Sequence, residues 1–153
     1  MVDCANGNML KVIVFELAGK EYAIPVTYVL SIEKVSYITR VPGVAPFLLG
    51  VINLKGTITS IIDLRDRFAI ERKEHDSFTR IIMVSYKQRE VGLVVDAAKA
   101  VLEFSKELIE PQPRVTGIQE LDFIDGVAKV GKRLLILIKL EHILHVPGNA
   151  QTI

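Results

Sequence analysis

The segment "RIIMVSYKQREVGLVV" (80–95) aligns without gaps on "KVIVFELAGKEYAIPV" (11–26), at a constant offset of 69. Apolar positions coincide: Ile13 with Ile82, Val14 with Met83, Ile24 with Leu93 and Val26 with Val95. Further along, "GVAKVGKRLLILIKLEHIL" (126–144) aligns on "GVINLKGTITSIIDLRDRF" (50–68) at an offset of 76, matching Gly50 with Gly126, Leu64 with Leu140 and Phe68 with Leu144. The offsets differ by seven residues, which places an insertion in the second half, within "EPQPRVTGIQELDFID" (110–125). Matched hairpins can arise by chance in a chain rich in valine and isoleucine. An internal duplication accounts for them better, and it predicts two similar small barrels about a pseudo-twofold axis. Neither repeat, about 11–68 or about 80–144, is long enough to bury much surface alone, so the two must share an apolar seam.

Local signals within each repeat are mostly those of strands. "KVIVFEL" (11–17) and "EYAIPV" (21–26) form a hairpin in which Gly19 supplies the tight turn. "TYVLSIEKV" (27–35) fits a short helical turn followed by a strand. "RVPGVAPF" (40–47) is loop, because Pro42 and Pro46 lack amide donors. The strands expected at 50–54 and 57–62 flank Lys55-Gly56. "DLRDRF" (63–68) then sets Leu64 and Phe68 on one side of a short helix capped by Asp63. Residues 1–9 and 146–153 have few anchors and are expected to be a flexible leader and tail.

Half of the 153 residues are apolar, and the mean hydropathy of +0.34 is high for a water-soluble domain. Sheet buried on both faces would explain that, as would apolar surface held for a partner. The longest uncharged run, Val41 to Leu54, is 14 residues and contains two prolines, too short for a spanning helix. Nineteen basic and 18 acidic residues are scattered along the chain, so no basic arm is set up for nucleic acid or an anionic membrane. Aromatics are sparse and tryptophan is absent, which leaves few platforms for stacking bases. A small-barrel nucleic-acid binder is therefore the rival reading, not the leading one. The lone cysteine, Cys4, precludes a disulfide within the chain and fits a reducing, cytoplasmic setting.

Enzyme-like motifs fail on inspection. "GVAKVGKR" (126–133) satisfies G-x-x-x-x-G-K, but Arg133 stands where a phosphate loop needs serine or threonine, and a strand-like run follows instead of a helix. His142 and His145 have no third ligand nearby in the sequence, and His75 is isolated. Cys4 has no oriented base, and Asp63 with Asp66 is explained by capping and a solvated helix face. No metal, cofactor or catalytic residue is expected. What remains is a binding module, with "RVPGVAPFLLGVINL" as its candidate apolar surface and a buried crossover as the plain alternative.

"FELAGKEYAIPVTYVLSI", "ITRVPGVAPFLLGVINLKGTITSIIDLRDRF", "TRIIMV", "VGLVVDAAKAVL" and "RLLILIKLEHIL" together resemble the CheW family of bacterial chemotaxis coupling proteins, over roughly residues 11–145. The resemblance implies a mainly β fold of two SH3-like five-stranded β-barrels, intimately packed as one domain, with short helices including one near the C-terminus. It implies no catalysis. It implies instead an adaptor between the histidine kinase CheA, through its regulatory domain, and the cytoplasmic tips of methyl-accepting chemoreceptors. By the same resemblance, Ile13, Val26, Thr27 and Val29 fall at kinase-binding positions. Gly50, Lys55, Gly92, Ala98, Val101 and Leu102 fall at receptor-binding ones. One feature departs from the family pattern. An acidic residue two places after the position of Val29 pairs there with an arginine of the N-L-R-G motif, whereas here Ser31 and Lys55 occupy those places. An exposed pair of that kind is worth only about 0–1 kcal/mol, and Glu33 stands as a substitute partner for Lys55.

Overall fold

One of the favoured two-residue hairpin turns, type I′, holds both central residues at positive φ, so that the turn follows the right-handed twist of its strands. Ala18 and Gly19 adopt φ of 52° and 80°, and their equivalents Lys87 and Gln88 adopt 51° and 68°. These turns join β1 (Met9–Leu17) to β2 (Lys20–Pro25), and β6 (Arg80–Tyr86) to β7 (Arg89–Val95). The registers repeat as well: Ile13 faces Ile24, and Ile82 faces Leu93. The computed structural model describes residues 8–35, 38–40, 48–54, 56–68, 70–71, 73–111 and 124–144. The expected loop at 40–47 beyond Arg40, Lys55, His145 and most of the insertion lie outside them.

A single 3-10 turn, Val26–Tyr28, leads into β3 (Val29–Lys34), as the mixed helix and strand signal of 27–35 required. β4 (Leu48–Leu54) pairs with β5 (Thr57–Asp63), and β10 (Ile124–Val130) pairs with β11 (Arg133–Ile138). Both ladders shift register at the same place, just before Gly50 and just before Gly126. α1 (Leu64–Arg67) follows β5, and Asp63 caps it by accepting the Arg65 amide at 3.0 Å. α2 (Leu140–Leu144) follows β11. β8 (Ala97–Ser105) and β9 (Ile109–Pro111) complete the described strands. Asn8 and Met9, which the expected flexible leader included, are held by backbone pairing. Met9 pairs with Ser105, and Asn8 O accepts the Lys106 amide at 2.7 Å. Backbone pairing needs no apolar side chain, so the polar leader gave no sign of it.

The sheets do not follow the repeats. One contains six strands in the order β8-β1-β2-β11-β10-β9, and the other five in the order β3-β6-β7-β5-β4. The first-repeat hairpin β1–β2 thus lies among second-repeat strands, and β6–β7 lies among first-repeat strands. The two parallel contacts, β2 with β11 and β5 with β7, mark those junctions. The exchange is symmetric. Val29 pairs with Val84 across β3–β6 and Ala98 pairs with Phe15 across β8–β1, each residue of the second pairing offset by 69 from its counterpart. The sixth strand is β9, whose counterpart in the other sheet is a single bridge between Thr39 and Val51.

Three apolar clusters fill this frame. Val12, Val14, Phe104, Leu135 and Leu137 fill the inner face of the six-stranded sheet. Leu49, Ile52, Ile61, Ile81, Met83 and Val94 fill that of the other. The largest cluster lies between the sheets: Ile13, Phe15, Leu17, Tyr22 and Ile24 from one side, and Ile62, Ile82, Val84, Leu93 and Val95 from the other. Leu64, Phe68, Leu140, Ile143 and Leu144 of the two helical segments join it. Phe15 stacks on Tyr22 at 5.8 Å between ring centroids, and Tyr22 meets Phe68 at 5.6 Å. This is the seam that the short repeats demanded. It leaves Val12 to Phe15 and Val91 to Val95 buried on both faces, which accounts for their unbroken apolar runs. No helix among the described residues is long and apolar enough to cross a membrane.

Candidate functional site

The sheets end in equivalent edge strands, β8 and β3, and side chains alternate across each. On β8, Leu102 and Phe104 turn to the inner cluster. Val101 pairs with Ile13, so it points to the seam side, but the seam has ended there and Val101 is 53% exposed. On β3 its counterpart Ile32 pairs with Ile82 and is 40% exposed. Ala98 is exposed and its counterpart Val29 is half-buried against the seam. The molecule therefore carries two related apolar edges, one on each sheet.

Of the residues expected to meet the kinase, Val26, Thr27 and Val29 form a continuous run through the 3-10 turn into β3, with Thr27 exposed and the valines half-buried. Ile13 is buried in the seam cluster against which Val26 and Val29 pack. It is 8% exposed, and its cross-strand neighbours are Ile24 and Val101, so it supports the β8 edge from beneath. Of the residues expected to meet receptors, Ala98 and Val101 are exposed on β8 and Leu102 is half-buried toward the inner cluster. Gly92 and Gly50 are buried and offer no side-chain surface. A Cβ at Gly92 would lie 2.6 Å from Ile61 Cδ1 and 2.7 Å from Ile81 Cγ2. At Gly50 it would run into the Thr39 carbonyl oxygen, and at Gly126 it would lie 2.7 Å from the Glu110 carbonyl oxygen. These last two glycines recur because a neighbouring backbone crosses there in each sheet. Ser31 and Glu33 are both half-buried on β3, and the pairing of Lys55 falls outside the described residues.

Sequence reasoning missed a largely buried ion pair, Arg65 with Asp96. Arg65 donates from Nε to Asp96 Oδ1 at 2.9 Å and from Nη2 to Oδ2 at 2.6 Å. Ala18 N donates to the same Oδ2 at 2.9 Å, and Arg65 Nη1 donates to the Glu71 carbonyl at 2.8 Å. Burial raises the carboxyl pKa of Asp96, but the bonds from Arg65 and Ala18 outweigh it and hold the group below the usual carboxylate range. Its bond to Asp96 also raises the Arg65 guanidinium. The D-L-R triplet contained the cation, but nothing near it in sequence marked the anion 31 residues on. Arg67 caps the other short helix by donating to the Ile143 and His142 carbonyls at 2.9 and 3.0 Å, and burial lowers its pKa.

Beside the Arg65 pair lies an open cleft of about 620 Å³, lined by Arg40, Leu49, Asp63, Lys73, Glu74 and His75. Acidic and basic groups alternate around it, so it presents no field of one sign. Among the described residues no group of three or more histidine, cysteine or carboxylate side chains could hold a metal ion. Gly131 and Lys132 of the phosphate-loop look-alike form the β10–β11 turn, with a strand following.

Comparison with known proteins agrees with this architecture. The family described as "CheW-like domain" matches residues 11–147. The chain is 46% identical over 136 residues to "Chemotaxis protein CheW" of Bacillus subtilis (strain 168), covering 88% of this chain and 86% of that one. It is 36% identical over 132 residues to the protein of the same name from Klebsiella aerogenes, covering 86% and 80%. The crystal structure of scaffolding protein TtCheW from Thermoanaerobacter tengcongensis superposes with a TM-score of 0.85 at 36% identity, covering 92% of this chain and 96% of that chain. With its duplicated β architecture and its match to the family over nearly its whole length, the chain belongs to the CheW family of chemotaxis scaffold proteins.

Proposed function

We propose that this chain is an adaptor that couples the histidine kinase CheA to the cytoplasmic tips of methyl-accepting chemoreceptors, working in the cytoplasm and recruited to the receptor array. The observation that carries the reading is the pair of related apolar edges on one rigid seam, Val29 with Ile32 on β3 and Ala98 with Val101 on β8. Val26, Thr27 and Val29 form the kinase-facing run, with Ile13 in the seam cluster against which the two valines pack. Ala98, Val101 and Leu102 form the receptor-facing strand, and Lys55, Gly50 and Gly92 are carried as receptor-binding positions by the family resemblance alone, the two glycines lying in the five-stranded sheet. No bond is made or broken in this role. Holding two partners on one body raises the effective concentration of each near the other. Any effect on kinase activity comes from contacts that differ between the kinase's states.

Val29→Asp or Thr27→Arg should weaken binding of the CheA regulatory domain about tenfold or more and spare the receptor tip. Ala98→Arg should do the reverse, since a charge set into a desolvated contact is expelled. Titrations of each variant with each partner check this, with thermal melts to confirm folding because Val29 is half-buried. Equal losses toward both partners would reject the assignment of separate edges.

A further inference from the structure

The two edges are equivalent in the duplication, but the chain enters them differently. It crosses from the five-stranded to the six-stranded sheet at Asp96, immediately before β8. It crosses the other way through Val26–Tyr28, immediately before β3. By the offsets of 69 and 76, the counterpart of Asp96 is Thr27 and that of Arg65 is Glu141. Threonine and glutamate cannot form an ion pair, and Glu141 Oε1 instead accepts the Tyr86 hydroxyl at 2.9 Å. The Asp96 carboxylate, in contrast, is gripped from both sheets. Arg65 reaches it from α1, which follows the five-stranded sheet, and Ala18 reaches it from the β1–β2 turn of the six-stranded one. The Asp96 amide adds a bond to the Glu16 carbonyl at 3.0 Å. The Arg65 and Asp96 side chains are only 15% and 12% exposed. All three guanidinium nitrogens of Arg65 are engaged, a pattern lysine cannot reproduce.

We infer that Arg65 and Asp96 are positioning residues for the β8 edge: their two-pronged ion pair fixes the crossover against both sheets and holds Ala98 and Val101 in one presented arrangement. The inference rests on the adaptor reading for what that edge binds. A surface held in its bound shape binds without first losing conformational freedom, so loosening the crossover weakens association without touching the contact itself. The β3 edge, entered through an exposed threonine, does not depend on this pair.

The test uses the full chain with Arg65→Lys, Asp96→Asn and Asp96→Ala. Asparagine keeps an acceptor for the Ala18 amide, and serves if the alanine variant fails to fold. Each is titrated with a receptor cytoplasmic-tip fragment and, separately, with the CheA regulatory domain, and amide hydrogen exchange is followed across 97–102 and 29–34. Tip affinity should fall about tenfold while kinase-domain affinity stays within about twofold, the range open to residues that act without touching a ligand. Exchange should quicken over 97–102 and stay unchanged over 29–34. Equal loss toward both partners, unchanged tip affinity, or uniform quickening of exchange would overturn the inference. If the unsubstituted protein binds neither partner, the adaptor reading falls, and the contrast in exchange alone decides whether the pair positions β8.

Discussion

At the scale of single residues, the Asp96 carboxylate accepts three hydrogen bonds and cannot take up a proton without weakening them. Its pKa is depressed on folding, so its contribution to stability is complete above the ordinary aspartate value of about 3.9. That contribution is lost as pH falls through the folded value. Asp96→Asn should therefore lower stability near neutral pH and flatten its decline below about pH 4, a contrast that urea unfolding between pH 3 and 6 measures. Parallel curves for the two proteins would show that the carboxylate is not linked to folding. Ile13 and Gly50 show how a residue can bear on a binding edge without touching a partner. Ile13 is buried beneath β8 and Gly50 on β4 meets the Thr39 backbone, so packing and backbone approach dictate the residue type at each. The resemblance that grouped Ile13 with Val26–Val29 did not say that the Ile13 side chain is buried in the seam those valines pack against.

At the scale of elements, the hairpins and the capped helix were legible in the sequence. The Ala18-Gly19 turn, the β-branched runs and Asp63 all act over a few residues, where periodicity and turn chemistry have force. Pairing of β1 with β8, or of β3 with β6, was not legible. All four strands present apolar residues on both faces or at a seam, and no local rule says which hairpin joins which sheet. The edge exposure of Val101 was hidden for the same reason, whereas the insertion between β9 and β10 was legible from the seven-residue difference between the two offsets. The second hairpin turn also carries a local penalty: Lys87 and Gln88 both hold positive φ without a glycine. Gln88→Gly would bring this turn to the chemistry of Ala18-Gly19. It should stabilise the fold by about 1 kcal/mol, the cost of a non-glycine residue in the left-handed region. Urea denaturation midpoints check it, and a lower midpoint would mean that the flexibility glycine adds to the unfolded chain outweighs the relieved strain.

At the scale of the whole molecule, the exchanged hairpins make the repeats mutually dependent. Cut within the exposed stretch Lys73–Phe78, each half would keep a hairpin whose two faces belong in the other half's sheet. We expect neither fragment to show a cooperative thermal transition alone and the two to combine one to one when mixed, as size-exclusion chromatography and circular dichroism would report. A half that melted cooperatively alone would mean that the seam is dispensable. The same exchange sets a clock during synthesis. β2 leaves the ribosome with Pro25, yet the strand it lies beside, β11, ends only at Ile138. At the usual pace of translation that is a wait of about 6–23 s, during which β2 has emerged without its outer neighbour, although β8 can join β1 once Ser105 is made. The symmetry that gives the finished protein two edges on one rigid body thus exposes its nascent form to chaperones and misassembly.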